Sequence, residues 1–176
     1  APILRRLRRH KPAMVGAAIF VVLVLTAIFA PLIAPYHPYE PDFSSPLHGP
    51  SPSHLLGTDE IGRDQLSRII YGARLSLAVG LVSVTISLVI GVALGAIAGY
   101  YGGWWDNVIM RFMDIILAFP AILLAIALMV MLGPGLTKAM IAIGIIYIPA
   151  YARIVRGAVL SVKQNEYVEA ARAVGL

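Results

Sequence analysis

Leu75 to Gly99 reads "LSLAVGLVSVTISLVIGVALGAIAG", twenty-five residues without one charge. At roughly 1.5 Å per helical residue such a run is long enough to cross a hydrocarbon core of about 30 Å, which predicts a transmembrane helix. Inside it Ser83, Ser87, Gly91, Gly95 and Gly99 recur at every fourth position. That spacing gathers them near one face, where missing side chains admit a second backbone and serine hydroxyls bond across. The stripe is expected to be a helix-packing face, turned either to another helix of the chain or to a second subunit.

The composition around this segment is of the same kind. Hydrophobic residues make up 59% of the chain and charged residues 13%, and the mean hydropathy is +0.83. A soluble domain carries roughly 25% charged residues. The fold class implied is all-α, a polytopic membrane helical bundle. The absence of cysteine excludes disulfides, thiolate metal sites and a cysteine nucleophile. The net charge of +5 does not point to nucleic acid, because the basic residues stand beside apolar runs, where they set membrane orientation.

Working outward, residues 1–12 form a basic tail with Arg5, Arg6, Arg8, Arg9 and Lys11, and 13–34 is an uncharged first span. It exceeds the apolar core of a signal peptide and is expected to be retained. Residues 35–74 begin with Pro35, Pro38, Pro41, Pro46, Pro50 and Pro52, a density that no helix tolerates, so an external connection is expected. It ends in an amphipathic stretch where Leu66, Ile69, Ile70 and Ala73 share helical spacing, which predicts a helix along the membrane surface or against other protein. The second span, 75–99, leads into a turn, 100–107, where Tyr100, Tyr101, Trp104 and Trp105 suit the headgroup level. Asp106 or Asn107 is expected to cap a third span, 108–132. Arg111 and Asp114 stand three apart in it, read as a local ion pair or as Arg111 snorkelling to the interface rather than as a transport path. Residues 133–137 turn the chain, 138–156 is a fourth span that borrows length from its flanks, and 157–176 begins a polar loop.

Orientation follows from the basic residues. With the tail in the cytoplasm, Arg5, Arg6, Arg8, Arg9, Lys11, Arg111, Arg153, Arg156, Lys163 and Arg172 share its side, ten of the fourteen, against Arg63, Arg68, Arg74 and Lys138. The positive-inside rule then puts both the amino terminus and the polar loop after the fourth span in the cytoplasm.

Two motifs remain. "LGTDEIGRDQLSRIIYGARLSL", Leu56 to Leu77, and "EYVEAARAVG", Glu166 to Gly175, resemble the inner-membrane permease subunits of bacterial ATP-binding-cassette importers. The likeness is to the second permease of dipeptide, oligopeptide and nickel uptake systems, and it extends over essentially the whole chain. The first motif supplies Gly57, Thr58, Asp59, Gly62, Arg63, Asp64, Ser67, Arg68, Gly72 and Arg74 as the family signature. The second resembles the first half of the importers' EAA loop, with Glu169, Ala170, Ala171 and Gly175 at motif positions. Family members continue through a second short helix and two more spans, about six in all, so the chain is expected to be a fragment ending within that loop.

The resemblance implies a bacterial or archaeal inner membrane protein acting with a second permease, two ATPase subunits and an external solute-binding protein. ATP and magnesium would sit on the ATPase subunits, with no cofactor on this chain. The EAA region would be the coupling element. Ser161 or Asn165 starts its helix, Glu166 and Glu169 favour the first turn, and Val168, Ala171 and Val174 give a narrow apolar edge. Gly175 suits the C′ position. Such an edge seats in a groove of a soluble partner.

No catalytic constellation competes. His10, His37, His48 and His54 lie in the tail and the proline-rich stretch and are read as solvated rather than metal-ligating. There is no phosphate-binding loop. The alternatives, a polytopic membrane enzyme or a small homo-oligomeric channel, need a polar set at membrane depth, which only Arg111 and Asp114 approach, or leave the soluble-looking terminal helix without a purpose.

Overall fold

The computed structural model describes residues 11–168. Among them five helices follow in order: α1 (Lys11–Ile33), α2 (Gln65–Tyr101), α3 (Gly103–Ala118), α4 (Ala121–Leu132) and α5 (Leu136–Lys163). The only strand-like pairing among the described residues is an isolated antiparallel bridge between Thr58 and Asp64. Helices α1, α2 and α5 are each long and apolar enough to cross a membrane, and α3 with α4 make a bent fourth candidate. Their large apolar side chains face outward, Leu32 and Met131 each 82% exposed, as a bundle solvated by lipid requires. The chain forms two compact units, Ala1–Ala78 and Val79–Leu176, with α2 contributing to both.

In the first unit α1 carries Pro31, which has no N–H to give to the carbonyl four residues back, that of Ala27. Arg74 of α2 fills the vacancy: its Nε donates to the Ala27 carbonyl at 2.5 Å and its terminal amine to that of Ile28 at 3.3 Å. A cation beside an apolar span is thereby satisfied by backbone carbonyls. The amphipathic stretch expected to form an interfacial helix before the second span is helical, but it is continuous with that span. Residues from Gln65 onward are the first turns of a 37-residue helix. No glycine or proline interrupts the junction except Gly72, which a helix tolerates at about 1 kcal/mol.

In the second unit α2 and α5 run side by side and parallel. Ser83 Oγ donates to the Met140 carbonyl at 2.9 Å and Ser87 Oγ to that of Gly144 at 2.7 Å, both pairs 57 residues apart. The same offset carries Gly95 onto Ala152, where a Cβ on the glycine would collide with the Ala152 carbonyl. A Cβ at Gly91 would lie 2.7 Å from Tyr151 Cβ, one at Gly99 2.8 Å from Val159 Cβ, and one at Gly144 of α5 2.9 Å from Ile86. The small-residue stripe is therefore covered from within the chain, with backbones close enough that only hydrogen fits. Met113 of α3 packs on Ile148 and Ala152 behind this seam.

Parallel neighbours oblige the intervening chain to return. From the level of Gly99 to that of Ser83 is sixteen residues of helix, roughly 24 Å, and α3 and α4 make that return. They do not form the single straight span expected over 108–132, but meet at a 96° bend. Pro120 is the cause, since it forces the preceding residue from the helical region, and Phe119 lies extended at φ −88°, ψ 137°. The preceding turn is also tighter than expected: α2 runs to Tyr101, Gly102 at φ 67° reverses the chain, and α3 begins at Gly103 without a side-chain cap. Helix α5 in turn reaches Lys163, beyond the expected limit at Arg156.

Replacing Gly95 with leucine should force α2 and α5 apart and lower the midpoint of thermal inactivation in detergent by several degrees, as overpacking against backbone costs about 1–3 kcal/mol or more. Leu88→Phe, at a position 44% exposed, should leave the midpoint within a degree or so. Equal shifts would show that the seam does not hold the unit together.

Candidate functional site

Polar side chains gather in two places, one in each unit. In the second unit they close the end of the seam. Helix α2 finishes at Tyr101 with carbonyls that no helical N–H reaches, and Lys163, in the last turn of α5, donates to the carbonyls of Tyr100 at 2.7 Å and Gly99 at 3.3 Å. The ammonium also lies 6.0 Å from the centre of the Tyr100 ring. A cation at a helix C-terminus is favoured by the helix dipole.

About two and three turns before Lys163, α5 carries arginines that reach α3. Arg156 grips Asp106 with two nitrogens, at 2.5 and 2.6 Å, and the pair is partly withdrawn from solvent, 35% and 17% exposed. A bidentate guanidinium–carboxylate pair is directional as well as strong. Arg153 donates to Asp114 at 2.6 Å with both side chains about half exposed, 52% and 55%, where a pair contributes little. Asp106 is thus an interhelical partner and not the expected cap, and Asp114 bonds Arg153 of α5 rather than its helix neighbour Arg111. Arg111 and Asp114 do share a groove of about 330 Å³ with Asp106, Asn107, Met110 and Arg156.

These contacts immobilise the end of α5, just before the EAA-like stretch. At Gln164 the helix breaks, and a new turn begins at Asn165, whose carbonyl accepts the Val168 N–H at 2.9 Å. Ser161 lies inside α5. Glu166 is exposed in the new turn, while Glu169, Ala170, Ala171 and Gly175 lie outside the described residues.

In the first unit the Gly57–Arg74 signature builds the end of the loop between α1 and α2 and the first turns of α2. Asp59 is its hub. One carboxylate oxygen accepts the N–H groups of Ile61 at 3.0 Å and Arg63 at 2.9 Å, and the other accepts Arg63 Nε at 2.7 Å and Arg68 at 2.6 Å. Thr58 is tied to His48 through backbone and side chain, its N–H donating to the His48 carbonyl and its Oγ1 accepting the His48 N–H, both at 2.9 Å. Gly57 and Gly62 have φ of 76° and 80°, and a Cβ at either would strike the backbone of His48 or Asp42; here only glycine fits. Asp64 caps α2 by accepting the Ser67 N–H at 2.8 Å and hydroxyl at 2.7 Å, and the Ser67 hydroxyl accepts the Tyr36 N–H at 3.1 Å. His54, read as solvated, instead sets Nδ1 3.0 Å from Asp64 and its ring 4.8 Å from that of Tyr36. Gly72 faces open space.

Three aspartates of this loop, Asp42, Asp59 and Asp64, are held in their charged form. Burial works to raise the Asp59 pKa, but the Arg63 N–H and guanidinium and the Ile61 N–H outweigh it and bring it down to about 2. The Ser44 and Ser45 hydroxyls hold Asp42 at about 2. For Asp64, burial again raises the pKa and the Ser67 and His54 hydrogen bonds more than offset it, so the value is lowered. Among the described residues no group of three or more His, Asp or Glu side chains is arranged to hold a metal ion.

Comparison with known proteins adds ancestry to this geometry. Residues 91–176 match the family described as binding-protein-dependent transport system inner membrane component, and residues 2–50 match the N-terminal TM domain of oligopeptide transport permease C. Over 172 residues the chain is 49% identical to the dipeptide transport system permease protein DppC of Alkalihalophilus pseudofirmus. It is 48% identical to the glutathione transport system permease protein GsiD of Escherichia coli O6:K15:H31 and to that of Shigella boydii serotype 4. These alignments cover 97–98% of the chain and 57% of each relative, so the chain spans a little over half the length of the proteins it matches.

The lowered carboxyl pKa values set the acid limit of the loop. A carboxyl whose folded pKa lies below its unfolded value near 3.8 contributes stability that is complete above that value and lost as pH falls toward the folded one, about 2 for Asp59. Pepsin cleavage within residues 42–64, normalised to an unstructured peptide at each pH, should stay low at about pH 4.5 and rise severalfold by about pH 2. Asp59→Asn should be cleaved at the higher pH as the parent is only at the lower. Cleavage of the parent that is independent of pH would refute the hub.

Proposed function

We propose that the chain, which matches the inner-membrane components of binding-protein-dependent transport systems over residues 91–176 and the N-terminal TM domain of oligopeptide transport permease C over residues 2–50, is part of the permease subunit of an ATP-driven importer. The observation that carries this reading is the 49% identity to a dipeptide permease over 98% of the chain. Its cargo is a short peptide or a solute of similar size and polarity, the class named by the dipeptide and glutathione relatives. The chain is not an enzyme: it contributes helices to a translocation path shared with a second permease. ATP and magnesium are bound and hydrolysed on two separate ATPase subunits, and a solute-binding protein delivers the cargo at the outer face. The amino terminus lies in the cytoplasm, the loop between α1 and α2 outside, and the stretch from Gln164 onward inside.

The arrangement at the end of α5 supports a coupling role for Glu166 to Gly175. A helix that transmits force from an ATPase needs a stiff mount, and its base is bound to α2 through Lys163 and to α3 through Arg156. A push on the loop therefore moves α5 with its seam partner and not alone. In this reading the exposed Glu166 opens the stretch that meets the partner's groove.

In the complete transporter Gly175→Val and Glu169→Lys should each lower uptake at least about tenfold, with membrane insertion and binding-protein affinity preserved, because a lost contact of about 1.4 kcal/mol already changes occupancy tenfold. ATPase retention on the purified mutant permease should fall with uptake. Normal retention together with normal uptake in both mutants would remove the coupling role.

Orientation is tested separately in the cysteine-free chain. Single cysteines at Glu60 and Ser161 should react with an impermeant maleimide from the outside and from the cytoplasm respectively. The reverse pattern would overturn the assignment of sides and the coupling reading with it.

A further inference from the structure

We propose that the face of α2 around Arg68, Gly72 and Arg74 is a binding site for one anionic phospholipid, its phosphate seated at the arginines and an acyl chain lying over Leu75 and Ala78. The site is a cleft of about 520 Å³ in the first unit, with Tyr39 and Tyr71 as its aromatic walls. Its polar and apolar ends are arranged as a lipid is. Arg74 is level with Ala27 and Ile28, whose carbonyls it bonds, and Arg68 stands six residues nearer the loop, roughly 9 Å along the helix. The uncharged run of α1 ends at Ala34, so Arg68 sits at the mouth of the apolar layer, where phosphates lie, and Leu75 and Ala78 below it.

The mouth carries surplus positive charge. One carboxylate, Asp59, serves both Arg63 at 2.7 Å and Arg68 at 2.6 Å, and the partners of Arg74 are neutral carbonyls. Among the described residues Arg68 bonds through one amine nitrogen only, leaving the rest of a fork that fits phosphate oxygens. Tyrosine at such a boundary presents a ring to the chains and a hydroxyl to the headgroup. Gly72 explains how the chain enters. It lines this cleft and also an apolar groove of about 690 Å³ bounded by Ile19, Val22, Leu23, Ile69 and Ile70, and nothing lies within 4 Å of where its Cβ would be. Its missing side chain is not required by packing; it leaves no Cβ standing between the two hollows it borders.

The test uses the full-length permease in its complete transporter, equilibrated in mild detergent with equal phosphatidylglycerol and phosphatidylcholine and read by native mass spectrometry for retained lipid. The parent should retain phosphatidylglycerol in preference to phosphatidylcholine. Arg68→Gln should reduce that retention about fivefold, the worth of one arginine near an anionic surface. Gly72→Leu, which fills the cleft and leaves the arginines in place, should reduce it as much without lowering thermal stability. Equal retention of both lipids by the parent, unchanged retention in both variants, or no retained phosphatidylglycerol would overturn the proposal. So would displacement of the lipid by excess inorganic phosphate that itself stays bound, which would make the seat one for free anions.

Discussion

The close approach of α2 and α5 is the constraint on which the second unit rests. In lipid, apolar side chains gain nothing by leaving the solvent, so association depends on contact area, hydrogen bonds and backbone proximity. The seam uses all three, with Ser83 and Ser87 bonding carbonyls of α5 and Gly91, Gly95 and Gly99 admitting its backbone. Because the two helices are parallel, the bent α3–α4 return is a consequence of the seam. So is the meeting of Asp106 with Arg156, which depends on α3 starting where α5 nears its end.

The polar groups answer a different requirement, that no backbone group be left unpaired where water is scarce. Pro31 frees a carbonyl and Arg74 occupies it; α2 ends with free carbonyls and Lys163 occupies those; α2 begins with free N–H groups and Asp64 takes one. The Asp64 cap is local, but the repairs by Arg74 and Lys163 come from side chains 47 and 63 residues away and each joins two helices. The charged residues of this apolar chain serve as fasteners at the places where helical hydrogen bonding stops.

The helical membrane class was legible because it rests on run length and charge, which need no partner to be read. The recurrence of Ser83 to Gly99 marked a face for the same reason. What covers that face was not legible, since the complementary positions on α5, Met140, Gly144, Ile148 and Ala152, alternate small and large and show no stripe. The ion pairs were hidden because Asp106 and Arg156 lie 50 residues apart, and local spacing suggested Arg111 for Asp114. Pro120 could be seen as a flaw in the third span, but a proline in a sequence does not by itself give the size of the bend, 96°. The loop escaped most completely. Its prolines excluded helix, yet the Asp59 hub is a pattern of individual hydrogen bonds around two left-handed glycines, with no period to betray it.

The four-residue repeat of the seam has a further consequence. A surface that repeats every four residues nearly matches itself after a slide of one repeat, about 6 Å along the axis, so the stripe alone would permit neighbouring alignments, like a ruler laid against its own divisions. The features that do not repeat choose among them. Serines stand only at Ser83 and Ser87, Tyr151 and Val159 bulge only opposite Gly91 and Gly99, and Lys163 reaches Tyr100 only when the ends coincide. Proximity is thus distributed along the whole seam, while alignment is set by the few features that do not repeat, and a change at one of them alters which division meets which before it alters how firmly the helices hold.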